Sequence, residues 1–320
     1  MRGIAVAGNI LVDRINEISK YPSAGELTKI LGVKLATGGC VPNVAVDLKR
    51  LCPALPVYAI GSIGHDTDGK FALSVLNAEG IDTAGVVSKD TDTSFTAVMS
   101  EVGGQRTFFT YPGASAEFGY DDIDFDSLPN MLHLGYFLLL DKIDRGDGER
   151  ILKEAVSRGI KTSIDLVSEN SDRYSIVLPC LKYTDNLIIN EIEAGKLTGI
   201  EPTNDNLCTI AKRLLDLGVR ERVIIHKTDL GLVATNERIT LLGSYELPSG
   251  FIKGTTGAGD AFCAGALLAI YEGLSDKEIL ELGSLAATGA LSAADAISGM
   301  ATREELAAIT KEMKRKEICL

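Results

Sequence analysis

Gly254-Thr255-Thr256-Gly257-Ala258-Gly259-Asp260 runs directly into Ala261-Phe262-Cys263-Ala264-Gly265-Ala266-Leu267, so a glycine-rich loop delivers a carboxylate to the first turn of an apolar helix. Gly257 and Gly259 carry no Cβ to obstruct an anion and accept positive φ. The first N–H groups of the helix lack intrahelical partners, and with the helix dipole they attract a phosphoryl group to the same spot. Asp260 excludes a P-loop: Gly254 and Gly259 have the GxxxxG spacing, but Asp-Ala follows in place of Lys-Ser/Thr. A dinucleotide fingerprint fails as well, because Phe262 occupies the third glycine position. What remains is an anion cradle beside a proton acceptor, the pairing that phosphoryl transfer to an alcohol requires. The competing reading of Asp260 alone is a helix cap, a position that aspartate favours.

Outward from this loop, short β-branched runs alternate with helical patterns. The runs are 3–7, 57–60, 132–134, 161–164, 186–189 and 222–225; helices are expected after Asn43 and over 69–77, 149–157 and 192–198. Strands that alternate with helices need crossovers and give a mostly parallel sheet covered on both faces. A hairpin is predicted over 230–235 and 238–242, and from Gly257 onward the chain reads as helical. Residues 14–37 and 92–112 break this rhythm with alternating polar and apolar positions, turning at Gly103-Gly104. They predict a small separate sheet projecting from a core made of 1–13, 38–91 and 113–320.

The chain has 320 residues, 45% of them hydrophobic and 24% charged, which suits one large soluble α/β unit with an insertion. Its net charge of −12 argues against nucleic acid or an anionic membrane as partner. Six cysteines lie scattered without CxxC spacing and read as reduced thiols, and His65, His133 and His226 share no metal-site spacing. The N-terminus reads as a strand, and the apolar stretch 261–271 is too short to span a bilayer. These features predict a cytoplasmic enzyme.

Residues 254–266 resemble the C-terminal signature of the PfkB, or ribokinase-like, carbohydrate kinase family. Gly38-Gly39-Cys40-Val41-Pro42-Asn43-Val44-Ala45 resembles its N-terminal signature, in the right order and more than 200 residues upstream. The resemblance implies a ribokinase-like three-layer αβα sandwich with a small β-sheet lid, which is often the dimer contact. It implies a cytoplasmic homodimer that uses ATP and Mg²⁺, leaves a monovalent cation open, and phosphorylates a hydroxyl, primary in the leading reading, on a small sugar.

Asp260 inherits the role of catalytic base, and the Gly257-Ala258-Gly259 backbone that of anion hole. Asp13, Gly39 and Asn43 inherit contacts to the acceptor. Asn190-Glu191-Ile192-Glu193 matches the Asn-x-x-Glu motif, which assigns Asn190 and Glu193 to the Mg²⁺-phosphate network through water. A capping box explains the same spacing, and both readings can hold. Lys227, Thr228 and Gly231 fall in the turn expected to hold the nucleotide together with the helix 286–294, although Thr228 replaces the usual glycine. Gly254 stands where the family often has a sugar-binding aspartate, so the acceptor need not be a simple pentose. Arg106, on the predicted lid, offers a partner for an anionic group. Two alternatives stay open: a nucleoside kinase of the same family, with Phe95, Phe108, Phe109 and Tyr111 as a base pocket, and a non-catalytic sugar sensor.

Overall fold

The structure, a computed structural model, describes residues 2–102 and 105–318. In chain order the elements are β1 (Ile4–Ala7), β2 (Leu11–Ile18), β3 (Ile30–Gly38), α1 (Cys40–Leu51), β4 (Val57–Gly64), α2 (Thr67–Ala78), β5 (Asp82–Lys89), β6 (Ser94–Glu101) and β7 (Arg106–Tyr111). There follow β8 (Met131–Phe137), α3 (Gly148–Ser157), β9 (Lys161–Leu166), α4 (Leu178–Leu181), β10 (Asn186–Asn190), α5 (Glu191–Thr198), α6 (Asn204–Asp216) and β11 (Arg222–His226). The chain closes with β12 (Leu230–Ala234), β13 (Ile239–Gly243), α7 (Ala258–Tyr271), α8 (Asp276–Leu291) and α9 (Arg303–Thr310).

A nine-stranded sheet in the order β13-β12-β11-β10-β9-β8-β1-β4-β5 forms the middle layer. It is parallel from β5 to β11, and the β11-β12-β13 edge is antiparallel, as the predicted hairpin requires. Alternation along each strand feeds two cores. Ile4 and Val6 join α1, α2, α7 and α8 on one face, while Ala5 and Ala7 join α3, α5 and α6 on the other. Helices α7 and α8 approach closely because Gly265 has no side chain; a Cβ there would lie 2.4 Å from the Leu282 carbonyl oxygen.

The second sheet, β3-β2-β6-β7, stands apart with four strands. Its first pair is slightly wider than the 14–37 stretch, because β2 starts at Leu11 and β3 ends at Gly38. The Gly103-Gly104 turn lies outside the described residues, as does Cys319. This sheet carries exposed apolar side chains, including Val33, Phe108 and Phe109. No helix of the described residues is long and apolar enough to cross a membrane.

Two expectations need correction. Helix α1 begins at Cys40, not after Asn43, because Gly39 adopts φ 91 and starts the helix as its N-cap. Asp13, past the C-terminal end of β1, lies within β2, paired with Ala36 and Thr96. The helix expected to run to 294 ends at Leu291. Strand β5 and helix α6 go beyond the sequence pattern, and α6 buries Leu207, Ile210, Ala211 and Leu214.

Candidate active site

The C-terminal ends of β8, β9, β10 and β11 bring Tyr136, Asp165, Asn190 and His226 to one edge of the large sheet, where open parallel sheets bind ligands. Helix α7 starts over that edge. Its N-cap, Gly257, has φ 80, and a Cβ on it would stand 2.6 Å from Ala296 Cα, so both conformation and space demand glycine. Gly259 differs. A Cβ there would meet only His226, with Cε1 at an ordinary 3.5 Å, so the fold leaves the space beside this residue open.

Asp260 is the third residue of α7 and is only 7% exposed. Its Oδ2 accepts hydrogen bonds from Asn43 Nδ2 at 2.8 Å and from the Tyr136 hydroxyl at 2.9 Å. Burial raises its pKa to about 7, and the charge of Asp165 pushes the same way; the two donated hydrogen bonds oppose the shift. A carboxyl poised there can accept a proton near neutral pH. Tyr136 is held under strain for this contact. Its φ is 59, a region that costs a non-glycine residue about 1–3 kcal/mol, and its N–H is anchored on Asp165 Oδ1 at 2.5 Å.

Two cavities meet at Gly259 and His226. The smaller, about 190 Å³, is lined by Asp260, Gly257, Asp165, Asn190 and Glu193. The larger, about 670 Å³, runs between the end of β11 and α8, where the sequence placed a nucleotide. Its walls include Lys227, Thr228, Leu230, Tyr245, Phe262 and Leu291. Burial lowers the His226 pKa to about 4, so this ring is neutral where the cavities join.

Asn190 and Glu193 form a reciprocal capping box at the start of α5. Glu193 Oε2 accepts from the Asn190 N–H at 3.0 Å, and Oε1 from Ser168 Oγ at 2.8 Å. Each oxygen keeps a second lone pair, and the carboxyl faces the smaller cavity. The set therefore suits a hard cation held through water.

The remaining predicted residues fall in three places. Asp13, Gly39 and Asn43 cluster where the small sheet joins α1: a Cβ on Gly38 would strike Asp13 Oδ2, and Asn43 links this group to Asp260. Burial lifts the Asp13 pKa to about 6. Arg106 reaches from β7 to the glycine loop, its Nη1 donating to Thr256 Oγ1 at 3.2 Å. Lys227 is engaged with Asn204 at 2.5 Å and Asp229 at 3.1 Å. Gly231 lines neither cavity; it is buried on β12, where a Cβ would press on Leu280. At Gly254 a Cβ would lie 2.9 Å from the carbonyl oxygens of Ala293 and Ala294, so the backbone closes over the position where an aspartate was expected.

Fold and cavities together place the chain among the kinases of small hydroxyl-bearing molecules. More particularly, residues 1–303 match the description "pfkB family carbohydrate kinase", and the chain belongs to that family. A ribokinase of Arabidopsis thaliana is 25% identical, over 96% of this chain and 81% of its own length. A ribokinase of Haemophilus influenzae is 27% identical, over 94% of this chain and 96% of its own. Among solved structures, the Arabidopsis thaliana ribokinase complexed with ribose and ATP superimposes with a TM-score of 0.85 at 24% identity, covering 97% of this chain and 99% of that one. Its fold is the ribokinase-like fold seen here.

Proposed function

We propose that this carbohydrate kinase transfers the γ-phosphoryl group of ATP to a primary hydroxyl of a small sugar or sugar derivative, with Asp260 as the general base. The observation that carries this reading is the placement of the Asp260 carboxylate. It lies in the first turn of α7, beside the N-terminal N–H groups of that helix, with its basicity raised and its Oδ2 fixed by Asn43 and Tyr136.

ATP enters the larger cavity with its base against Leu230, Tyr245 and Leu291, so that its terminal phosphate meets the α7 N-terminus at Gly259. The sugar lies under the small sheet, its hydroxyls accepted by Asp13 and bound by Gly39 and Asn43. Asp260 takes the proton as the hydroxyl oxygen attacks, and the N–H groups from Gly257 to Asp260 hold the transferring phosphoryl oxygens. Asn190 and Glu193 would hold Mg²⁺ through water; when bound, the ion neutralises phosphate charge. A coupled ADP-release screen over sugars, keto-sugar acids, sugar phosphates and nucleosides, with ATP and Mg²⁺, tests the proposal. Sugar-dependent ADP release supports it, and turnover confined to nucleosides contradicts the acceptor class.

The Arg106–Thr256 contact ties the small sheet to the phosphate loop. We expect Arg106→Ala to raise the acceptor KM roughly 10- to 100-fold, the worth of a hydrogen bond to a charged group. The ATP KM should move far less. Equal shifts in both, measured by steady-state kinetics, would assign Arg106 to the nucleotide.

The small sheet is also the proposed surface for pairing two copies. Val33 is 69% exposed and Phe108 and Phe109 are each 58% exposed, and such apolar area is normally covered. Light scattering should give twice the chain mass, and Phe108→Asp should shift it to the monomer. A monomeric wild type contradicts the pairing.

A further inference from the structure

Beneath Asp260, four elements converge on a group of donors that the transfer step does not use. Cys40 from α1, His133 from β8 and Asp165 from β9 offer Sγ, a ring nitrogen and a carboxylate oxygen that all lie within 4.8 Å of one another. Cys263 from α7 adds a second sulfur, with Sγ 3.6 Å from His133 Nε2. All four residues are buried. Gly135 makes the convergence possible, since a Cβ there would lie 1.9 Å from Cys40 Sγ and 2.9 Å from Asp165 Oδ1.

We propose that Cys40, His133 and Asp165, with Cys263 at the fourth corner, form a binding site for a zinc-type divalent cation. Bond lengths of about 2.3 Å to sulfur and 2.0–2.2 Å to nitrogen and oxygen require tetrahedron edges of about 3.6 Å for S···N and about 3.3 Å for N···O. The observed edges are 3.6 Å from Cys263 Sγ to His133 Nε2 and 3.5 Å from His133 Nε2 to Asp165 Oδ2. Cys40 Sγ completes the set, within 4.8 Å of the ligand atoms of His133 and Asp165.

The outer contacts match those that orient metal ligands. His133 Nδ1 lies 3.0 Å from Ser163 Oγ, and in the tautomer that donates there Nε2 presents its lone pair to the cluster. The other oxygen of Asp165 is fixed by the Tyr136 N–H. Two thiolates, one carboxylate and a neutral imidazole around a divalent cation leave a net charge of −1, so the ion offsets most of the buried charge of its own ligands. Sulfur and imidazole select zinc over magnesium. Asp165 and Cys263 both line the smaller cavity, which gives the ion a way in. The ion would pin α1 and α7, the two helices that carry Asn43 and Asp260, to the sheet.

The test uses the full chain, stripped with a chelator, kept reduced with a phosphine and titrated with Co²⁺. The expected result is one equivalent bound, with a thiolate-to-cobalt charge-transfer band and the strong visible bands of a tetrahedral site. Cys40→Ala and His133→Gln should lose the bound ion, Cys263→Ala should weaken the charge-transfer band, and Cys52→Ala should change nothing. Zinc should raise the thermal midpoint of the wild type but not of Cys40→Ala, each variant being confirmed as folded by circular dichroism. Two results would overturn the proposal. One is a wild type that takes up no ion. The other is a weak octahedral spectrum that Cys40→Ala and Cys263→Ala leave unchanged, which marks surface carboxylates.

Discussion

Asp260→Asn should lower kcat by about 10²- to 10⁴-fold, the usual contribution of a positioned general base, while ATP binding stays near the wild-type value. The substitution keeps shape and hydrogen bonding: an amide oxygen can still accept from Asn43 and from the Tyr136 hydroxyl. What it removes is proton affinity. The wild-type kcat/KM should therefore fall as pH drops below about 7, where the Asp260 carboxyl becomes protonated, and the residual activity of the variant should lack that limb. Stability runs the opposite way. With its pKa raised from 3.8 to about 7, Asp260 keeps a proton in the folded state that the unfolded chain releases, so stability is lost as pH rises through that window. The Asp260→Asn variant should melt above the wild type at neutral pH, the difference closing toward pH 4. Turnover close to wild type, in the presence of ATP and an accepted sugar, removes Asp260 from the role of base.

Gly257→Ala should cost about 10²- to 10³-fold in kcat, as losing a preorganised donor to a transition-state oxyanion does. The argument is steric and conformational together. An L-residue at φ 80 is strained by about 1–3 kcal/mol, and its Cβ would stand 2.6 Å from both Ala296 Cα and Ala296 Cβ. The loop must move, and the N–H groups of α7 turn with it. Gly259→Ala is the control for stability, because its Cβ makes only an ordinary contact with His226. Its melting temperature should stay close to wild type while that of Gly257→Ala falls by several degrees. Steady-state kinetics and thermal melts on the two variants separate the cases; unchanged kcat in Gly257→Ala contradicts the anion-hole assignment.

The glycine loop was legible because its chemistry is local. Backbone N–H groups, three glycines and a carboxylate within seven residues specify an anion site wherever the rest of the chain goes. The parallel sheet was legible for a similar reason, since β-branched runs separated by helical patterns leave few topologies. Tyr136, Asp165 and His226 were not, because each is a single residue whose role comes from tertiary convergence. The one signal that points to them is position, at the C-terminal ends of β8, β9 and β11. Spacing along the chain was equally silent on His133, whose neighbours Cys40 and Cys263 come from helices far apart in sequence. Gly231 shows the converse. A glycine that matched a nucleotide-binding pattern lies buried on β12, where a Cβ would stand 2.9 Å from Leu280 Cδ2, a setting that only the fold reveals. The start of α1 escaped because the helix was expected only after Asn43, whereas Gly39 opens it at Cys40 and Pro42 fits its first turn, where no N–H is needed.

The most direct test of the central claim is phosphorus NMR of the complete reaction, wild-type protein with ATP, Mg²⁺ and the sugar that releases most ADP. The account predicts a new phosphomonoester resonance split by two methylene protons, growing in step with ADP and slowed by about 10²- to 10⁴-fold with Asp260→Asn. ADP accompanied only by inorganic phosphate, or a sugar that raises the melting temperature with no phosphoester formed, would contradict it.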